Sequence, residues 1–366
     1  MSKTSQTHDK KPHKVLITRF SAIGDVAMTV PVVYSVCRAN PNVKFIMVTR
    51  PSMAGMMINH PENLEVIGIN LKEYKGLIGL WRLFKELWEK YHFDAYADLH
   101  NVLRTRVLQL FSRMIGVKTA YLNKERSHRR ALTRKNGKVM LPMTSQRARY
   151  RAVFYKLGLG VEDRFVSLFG NSKAPEKSFA AITEPKKKGE RWIGIAPFAA
   201  HRGKVYPPDR MFAVAKALGA DTRNKLFLFG GGGDEQKVLE EWASKIEGSC
   251  SLAGKKYGFP TELALQSHLD VMVSMDSANM HLASLVAVPV VSIWGATHPY
   301  CGFKGFHQSD TNTIQLALTC RPCSVFGNKP CHRGDYHCLS GIAPALIIDR
   351  VNAVIDTRQK HSIEEK

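Results

Sequence analysis

Polar residues able to bind a ligand follow two apolar stretches of the chain, 271–275 and 288–294. An apolar stretch, a helix-like segment and a second apolar stretch predict strand, helix and strand. Because the carboxyl ends of parallel strands face the ligand crevice, we expect these polar residues to form a site at one sheet edge. The alternative is that Asp276 or Ser277 only caps the helix and His281 is an ordinary half-buried side chain. The residues concerned are Asp276, Ser277, His281, Gly295 and Thr297.

Asp25 lies near the N-terminal end, after a short β-type run at 14–20 and a turn that contains Gly24. Strand, glycine turn and helix open a Rossmann-like unit. The turn puts Asp25 at the start of a predicted helix over 25–38, where backbone N–H groups and the helix dipole stabilise a carboxylate. Such an exposed carboxylate suits a general base. The alternative is a charge that only stabilises the helix.

Lys204 follows Gly203 in a stretch that leads from a predicted strand at 192–197 to a helix at Asp209. A flexible Gly-Lys before a helix N-terminus brings an ammonium beside bound phosphates. Gly230 begins a run of four glycines after the next predicted strand, which either lets the backbone approach a ligand or forms a tight turn. The pattern Gly-x-x-x-x-Gly-Lys-[Ser/Thr] is absent, so this run is not a P-loop.

Asp98 lies at the end of another predicted strand at 94–99, and His100, Asn101, Arg104 and Arg106 follow that strand. Their position at a strand end makes them candidates for contacting a polar or anionic substrate. For the two arginines, ordinary helix-surface charge is the alternative.

The alternation of strand-like and helix-like segments predicts an α/β protein with two Rossmann-like domains. No Gly-x-Gly-x-x-Gly occurs, which argues against a nicotinamide or flavin dinucleotide site. A stretch rich in Gly, Pro and Lys predicts the domain linker. The predicted ranges are a disordered tail at 1–13, a first domain at 14–175, a linker at 176–190, a second domain at 191–340 with a cysteine-rich loop at 320–338, a final helix at 341–358 and a tail at 359–366.

The charge of the chain is strongly basic, with 53 lysines and arginines against 31 acidic residues and a net charge of +22. Segment 118–151 is especially basic, with Glu125 as its single acid. This favours a polyanionic partner such as nucleic acid, anionic lipid or phosphorylated glycan, or else a solvated basic face. Nucleic acid is disfavoured, because only Tyr121 and Tyr150 interleave with the basic residues and no nucleic-acid motif is present. No signal peptide and no apolar run of bilayer-spanning length occurs, so we expect a cytoplasmic protein.

Four of the seven cysteines lie in the loop at 320–338. Cys320 and Cys323 have metal-ligand spacing, whereas the gaps to Cys331 and Cys338 are less typical. One alternative is that these cysteines are reduced and simply packed, or paired locally within the loop. The other alternative is a structural zinc site. In either case we interpret the loop as structural, not catalytic.

Taken together, these motifs resemble glycosyltransferase family 9, the bacterial lipopolysaccharide heptosyltransferases. The segment with Asp276, Ser277, Ala278 and His281, followed by Gly295 and Thr297, resembles the family's nucleotide-sugar site. Three further motifs also resemble the family and occur in its order: Ser21 to Asp25, Lys204 to Pro207, and Leu252 to Lys255. Ala278 and Tyr206 depart from the residues commonest in the family, Gly and Trp.

The resemblance implies a GT-B fold, with two Rossmann-like domains facing a central cleft, and inverting transfer that needs no metal or other cofactor. It implies that Asp25 is the base that deprotonates the acceptor and that Lys204 stabilises the departing diphosphate. The implied donor-binding residues are Asp276, Ser277, Ala278, His281, Gly254, Gly230 and Thr297, and the candidate acceptor-binding residues are Ser21, Gly24, Asp98, His100 and Arg104.

We therefore expect an enzyme that moves a sugar, heptose from ADP-heptose by family, to a lipopolysaccharide core or related anionic glycolipid. The basic segment suggests peripheral contact with the inner face of the cytoplasmic membrane. The alternatives are a basic nucleic-acid-binding protein and a protein that binds a nucleotide sugar without turnover.

Overall fold

The computed structural model describes residues 11–364, with side chains as far as Gln359. Residues 1–10 of the predicted tail lie outside this range. The chain forms two compact units, residues 11–124 with Gln146–Phe165, and Glu125–Ser145 with residues 166–364. The segment Glu125–Ser145 therefore belongs to the second unit, although our predicted first domain at 14–175 included it.

The first unit contains a five-stranded parallel sheet in the order β3-β2-β1-β4-β5. Its strands are β1 (Lys14–Thr18), β2 (Lys44–Thr49), β3 (Leu64–Gly68), β4 (Ala95–Asp98) and β5 (Lys118–Tyr121). Its helices are α1 (Ile23–Ala27), α2 (Val30–Ala39), α3 (Pro51–Ala54), α4 (Gly76–Tyr91), α5 (Leu103–Met114) and α7 (Gln146–Tyr155), while α6 (Arg126–Leu132) belongs to the second unit.

Continuous apolar runs form the central strands of this sheet, as expected for parallel strands that are covered on both faces. The side chains of Val15, Leu16 and Ile17 in β1 are buried. A core of aromatic and aliphatic residues from β1, β2, α4 and α5 packs on one face, including Leu16, Ile46 and Phe84. The strands β1 and β4 pair in parallel, so their carboxyl ends lie beside each other.

The second unit contains a six-stranded parallel sheet in the order β11-β10-β9-β6-β7-β8. Its strands are β6 (Arg191–Ala196), β7 (Asn224–Leu228), β8 (Ser249–Ser251), β9 (Val271–Met275), β10 (Val290–Ile293) and β11 (Thr313–Ile314). Its remaining helices are α8 (Pro208–Gly219), α9 (Asp234–Lys245), α10 (Phe259–Gln266), α11 (Ala278–Leu285), α12 (His337–Ser340) and α13 (Pro344–Glu364).

The sequence prediction of an α/β fold with two Rossmann-like domains is confirmed, since each unit is a parallel sheet covered by helices. The predicted single helix over 25–38 is wrong: the structure has α1 and α2 in its place. Pro31 lies in the first turn of α2, and proline has no N–H to donate to the preceding turn of a continuous helix. The final helix continues past its predicted end at 358, to Glu364.

Among residues 11–364, no helix is both long enough and apolar enough to cross a membrane.

Candidate functional site

Arg19 and Asp25 form a short ion pair just beyond the carboxyl end of β1. Nη2 of Arg19 lies 2.6 Å from Oδ2 of Asp25, and Nη1 donates to the carbonyl of Leu99 at 2.8 Å. The amide of Ala22 donates to the same carboxylate oxygen at 3.3 Å. Within the described residues Oδ1 of Asp25 has no hydrogen-bond partner, and the side chain is 25% exposed. One oxygen of a fixed carboxylate is therefore available to accept a proton.

His100 lies next to Ser21, with 3.4 Å between its Nε2 and the serine Oγ. Burial, together with the nearby positive charges of Arg19 and Lys124, lowers the pKa of His100 to about 3. The imidazole is therefore neutral near pH 7, and it can form hydrogen bonds but carries no charge. Its Nδ1 is buried without a hydrogen-bond partner in the described part of the chain.

Asp98 is fully buried at the end of β4 and organises the loop that carries His100. Its Oδ1 accepts from the amides of His100 at 2.8 Å and Asn101 at 2.9 Å. Its Oδ2 accepts from Nε2 of Gln109 at 2.5 Å. The other two predicted acceptor residues, Gly24 and Arg104, are half-buried in the first turns of α1 and α5. Asp98 thus fixes this loop from inside the unit, whereas Ser21 and His100 are half-buried and partly accessible.

In the second unit, Lys204, Asp276 and Thr297 form one connected group at the carboxyl ends of β6, β9 and β10. Nζ of Lys204 lies 2.9 Å from Oδ2 of Asp276, and Oγ1 of Thr297 donates to the same oxygen at 2.8 Å. The Asp276 side chain is 4% exposed and that of Lys204 is 17% exposed. A buried carboxylate is costly unless it is paired and hydrogen-bonded, so the two partners hold it and it holds the ammonium in place.

The helix α11 begins directly after this group. Ser277 is its N-cap residue and Ala278 its first helical residue, and the side chain of Ser277 makes no capping bond. The first amides of an α-helix have no intrahelical acceptor, so they are suited to bind an anion. His281 is buried within α11. The predicted residues Asp276, Ser277, Ala278 and Thr297 are therefore brought together beside Lys204.

Gly230 and Gly254 both lie against the first turns of α9, where packing explains them. A Cβ at Gly230 would lie 2.6 Å from Cδ1 of Leu239, and one at Gly254 would lie 2.0 Å from Oε1 of Gln236. Gly254 also has φ +71, a conformation that glycine adopts without strain. These glycines allow close packing at the same sheet edge, and their predicted donor contact stays a prediction.

Arg321 was not predicted from the sequence, yet it supports the Lys204 group from below. Its side chain is buried and donates to the carbonyls of Gly295 at 2.5 Å and Thr297 at 2.9 Å. It also donates to Leu316 and Gln315. The guanidinium thus fixes the turn after β10 that presents Thr297 to Asp276. An arginine in a loop rich in Arg and Lys carries no local signal for this role.

Two basic residues of segment 118–151 contact the cysteine-rich loop at 320–338. Nζ of Lys138 donates to the carbonyls of Cys320 at 2.7 Å and Pro322 at 3.0 Å, and the guanidinium of Arg129 lies over the rings of Phe303 and Phe326. These two charges therefore have structural partners inside the second unit.

All seven cysteines are free thiols in the structure. Burial raises the pKa of Cys338 to about 11, which keeps the thiol protonated near pH 7. Among the side chains that the structure describes, residues 11–359, no three His, Cys, Asp or Glu are arranged to hold a metal ion. The structure therefore does not assemble the loop cysteines as a zinc site.

Comparisons with known proteins agree with this geometry. The sequence model described as "Glycosyltransferase family 9 (heptosyltransferase)" matches residues 80–332. The chain is 20% identical over 348 residues to lipooligosaccharide heptosyltransferase 2 of Campylobacter jejuni, covering 92% of this chain and 98% of the relative.

Among solved structures, a glycosyltransferase family 9 protein from Veillonella parvula superposes with a TM-score of 0.72 at 17% identity, covering 94% of this chain and 97% of that one. The E. coli ADP-heptose lps heptosyltransferase II superposes with a TM-score of 0.68 at 18% identity, covering 94% and 99%. The fold of the chain is thus the fold of these proteins.

Proposed function

The chain belongs to glycosyltransferase family 9, and from that premise we propose that it transfers heptose from ADP-heptose to the core of a lipopolysaccharide or a related anionic glycolipid. The observation that carries the proposal is the Lys204–Asp276 pair at the start of α11. Breaking the bond between a sugar and a nucleoside diphosphate builds negative charge on the leaving group, which cations and oriented N–H groups stabilise. An ammonium beside free helix-terminal amides supplies both.

We propose that the acceptor hydroxyl attacks the anomeric carbon of heptose while the bond to ADP breaks, with inversion at that carbon. The hydroxyl proton passes to the carboxylate of Asp25, whose Oδ1 is available and whose Oδ2 is fixed by Arg19. The departing ADP takes the electron pair of the broken bond. Its added negative charge is stabilised by Lys204 and by the amides of Ser277 and Ala278.

The geometry supports a positioning role for Asp276, not direct contact with the diphosphate. The carboxylate of Asp276 and the diphosphate are both negative and would repel each other. In addition, Asp276 is buried and its Oδ2 already accepts from Lys204 and Thr297. His281 and the glycines Gly230 and Gly254 are proposed to shape the donor site. Ser21, Gly24, His100 and Arg104 are proposed to hold the acceptor, with Asp98 fixing the loop of His100.

An acceptor of this class carries a lipid anchor, so the proposal includes peripheral contact with the inner face of the cytoplasmic membrane. The net charge of +22 supports it, because anionic lipid attracts basic proteins.

The test is transfer by the purified full chain. ADP-heptose is supplied with lipopolysaccharide from a heptose-deficient strain, ADP release is followed, and the anomeric configuration of the product is read by NMR. Release of ADP that depends on the acceptor, with an inverted product, supports the proposal. Transfer with retention contradicts the role of Asp25, and transfer only from another nucleotide sugar contradicts the donor.

A further inference from the structure

The first unit exposes large apolar side chains on two neighbouring helices. Ile78 in α4 is 87% exposed, and Leu103 and Met114 in α5 are 81% and 73% exposed. The ring of Trp81 in α4 contacts the ring of Phe111 in α5, with centroids 5.0 Å apart, so the two helices adjoin. We call this the α4–α5 surface, and it consists of Leu77, Ile78, Trp81, Leu103, Leu110 and Met114. Contiguous exposed apolar residues mark an interaction site more often than scattered ones.

The apolar residues of α5 lie on one side of that helix. Leu103, Leu110 and Met114 are spaced by seven and four residues, which places them on one stripe. The opposite side, with Thr105, Leu108 and Ser112, is buried. The outward stripe is thus not part of the core of the first unit.

A cavity of about 340 Å³ opens beside this stripe. It shares Leu110 with the α4–α5 surface and is otherwise lined by polar and aromatic residues, namely Asn101, Arg106, Gln109, Arg113 and Tyr121. No acidic side chain lines it. The cavity therefore combines two cationic side chains with an apolar border.

Neighbouring side chains fix both arginines through Nε. Nε of Arg106 donates to Oδ1 of Asn101 at 2.9 Å, and Nε of Arg113 donates to Oγ1 of Thr119 at 2.6 Å. Among the described residues their terminal nitrogens have no hydrogen-bond partner. A guanidinium held in this way is ready to bind a phosphate through its terminal N–H groups.

We propose that the α4–α5 surface docks on an anionic phospholipid bilayer, with lipid phosphates bound by Arg106 and Arg113. Apolar side chains flanked by arginines fit the boundary between head groups and acyl chains. A second copy of this chain is a poor occupant of this surface, because each copy carries a net charge of +22 and like charges repel. The proposal deepens the membrane contact of the proposed function, but lipid binding itself does not depend on the transfer reaction.

The direction of the helices agrees with this docking. In parallel α/β units each helix begins at the carboxyl edge of the sheet, so Leu77, Ile78 and Leu103, in the first turns of α4 and α5, lie toward the edge that carries Asp25. A bilayer at this surface brings a lipid-linked acceptor to the side of the unit that holds the proposed base.

The experiment is co-sedimentation of the full chain with vesicles of phosphatidylglycerol mixed with phosphatidylcholine, and with vesicles of phosphatidylcholine alone. We expect binding to the anionic vesicles that weakens with salt, and little binding to the neutral ones. The double variant Arg106→Gln, Arg113→Gln should bind anionic vesicles more weakly, by about fivefold for each arginine removed. The variant Leu103→Ser, Leu110→Ser should also bind more weakly, because it loses the apolar contact.

Matched controls lie on the second unit. Arg223→Gln, Arg333→Gln removes the same charge from exposed arginines, and Leu346→Ser changes a leucine that is 52% exposed. These variants should bind like the wild type. Equal loss in the controls, or equal binding of the wild type to both kinds of vesicle, overturns the proposal.

Transfer to a delipidated, water-soluble acceptor separates this proposal from the proposed function. The surface variants should keep the wild-type rate on that acceptor, which also shows that they are folded. Vesicle binding without any transfer contradicts the proposed function and supports the docking surface, whereas transfer without vesicle binding does the reverse.

Discussion

The ammonium of Lys204 and the carboxylate of Asp276 lie 2.9 Å apart, and the carboxylate is almost completely buried. Burial makes this pair unlike an exposed salt bridge, because neither group is well solvated by water. The carboxylate is thereby used to hold the lysine, and the lysine is left with further N–H groups for a ligand.

Replacing Lys204 with Met should lower kcat for heptose transfer by about 10²–10³, the usual cost of removing one stabilising donor from a developing anion. The acceptor KM should not change, because Lys204 is proposed to act on the leaving group. Steady-state rates of ADP release measure both quantities. Lys237→Met, at an 80% exposed position, is the control. A normal kcat with a raised acceptor KM would contradict the role of Lys204.

Thr297→Val should destabilise the second unit and slow transfer, because it removes the hydroxyl that donates to Asp276 at 2.8 Å. Loss of one hydrogen bond to a buried acceptor costs about 1–3 kcal/mol in the free energy of unfolding, measured by urea denaturation. Thr297→Ser keeps the hydroxyl and should stay close to the wild type in kcat. If the Ser variant, which keeps the hydroxyl, were as slow as the Val variant, loss of the hydrogen bond to Asp276 would not explain the effect.

His100 should make the protein less stable in acid. Burial lowers the pKa of His100 in the folded chain to about 3, whereas an unfolded histidine has a pKa near 6.5. Between these values the unfolded chain binds a proton that the folded chain does not, so the stabilisation is complete above about pH 6.5 and is lost as pH falls toward 3.

The free energy of unfolding should therefore fall less steeply below about pH 6.5 in His100→Gln than in the wild type. NMR of the imidazole gives a direct check, because the His100 resonance should not titrate between about pH 5 and 8. Parallel stability curves for the two proteins, together with a titration in that range, would show that the ring is solvated and charged.

The sequence predicts the α/β class well, because continuous apolar runs alternate with amphipathic segments. The apolar residues of α4 (Gly76–Tyr91) recur with a helical period, which is the kind of pattern that makes a helix readable from sequence. The break between α1 and α2 was not predicted, although Pro31 is visible in the sequence. A proline fits the first turn of a helix, so its presence alone does not show where that helix begins.

The site was predicted less completely than the fold. Asp276 and Thr297 end apolar runs, so the strand rule finds them, and Lys204 follows the same rule after β6. Arg321 joins the site from a loop without regular structure, and only its hydrogen bonds to Gly295 and Thr297 reveal its role. Asp98 was predicted as a ligand contact, but its burial and three short hydrogen bonds show that it organises the loop.

Asp25→Asn should abolish transfer while leaving the binding of ADP-heptose intact. The amide keeps the shape of the side chain but cannot accept the acceptor proton, and loss of a general base lowers the rate by about 10²–10⁴. Single-turnover transfer measures the chemical step, and thermal stabilisation by ADP-heptose measures donor binding.

The substitution also removes the ion pair with Arg19, so a control must lose a comparable pair outside the site. Asp163→Asn serves, because Asp163 is 32% exposed and pairs with Arg147 at 3.4 Å in the same unit. That variant should transfer heptose at the wild-type rate. If both variants lost turnover in parallel with stability, the ion pair and not proton transfer would explain the effect of Asp25. A fully active Asp25→Asn would remove Asp25 as the base.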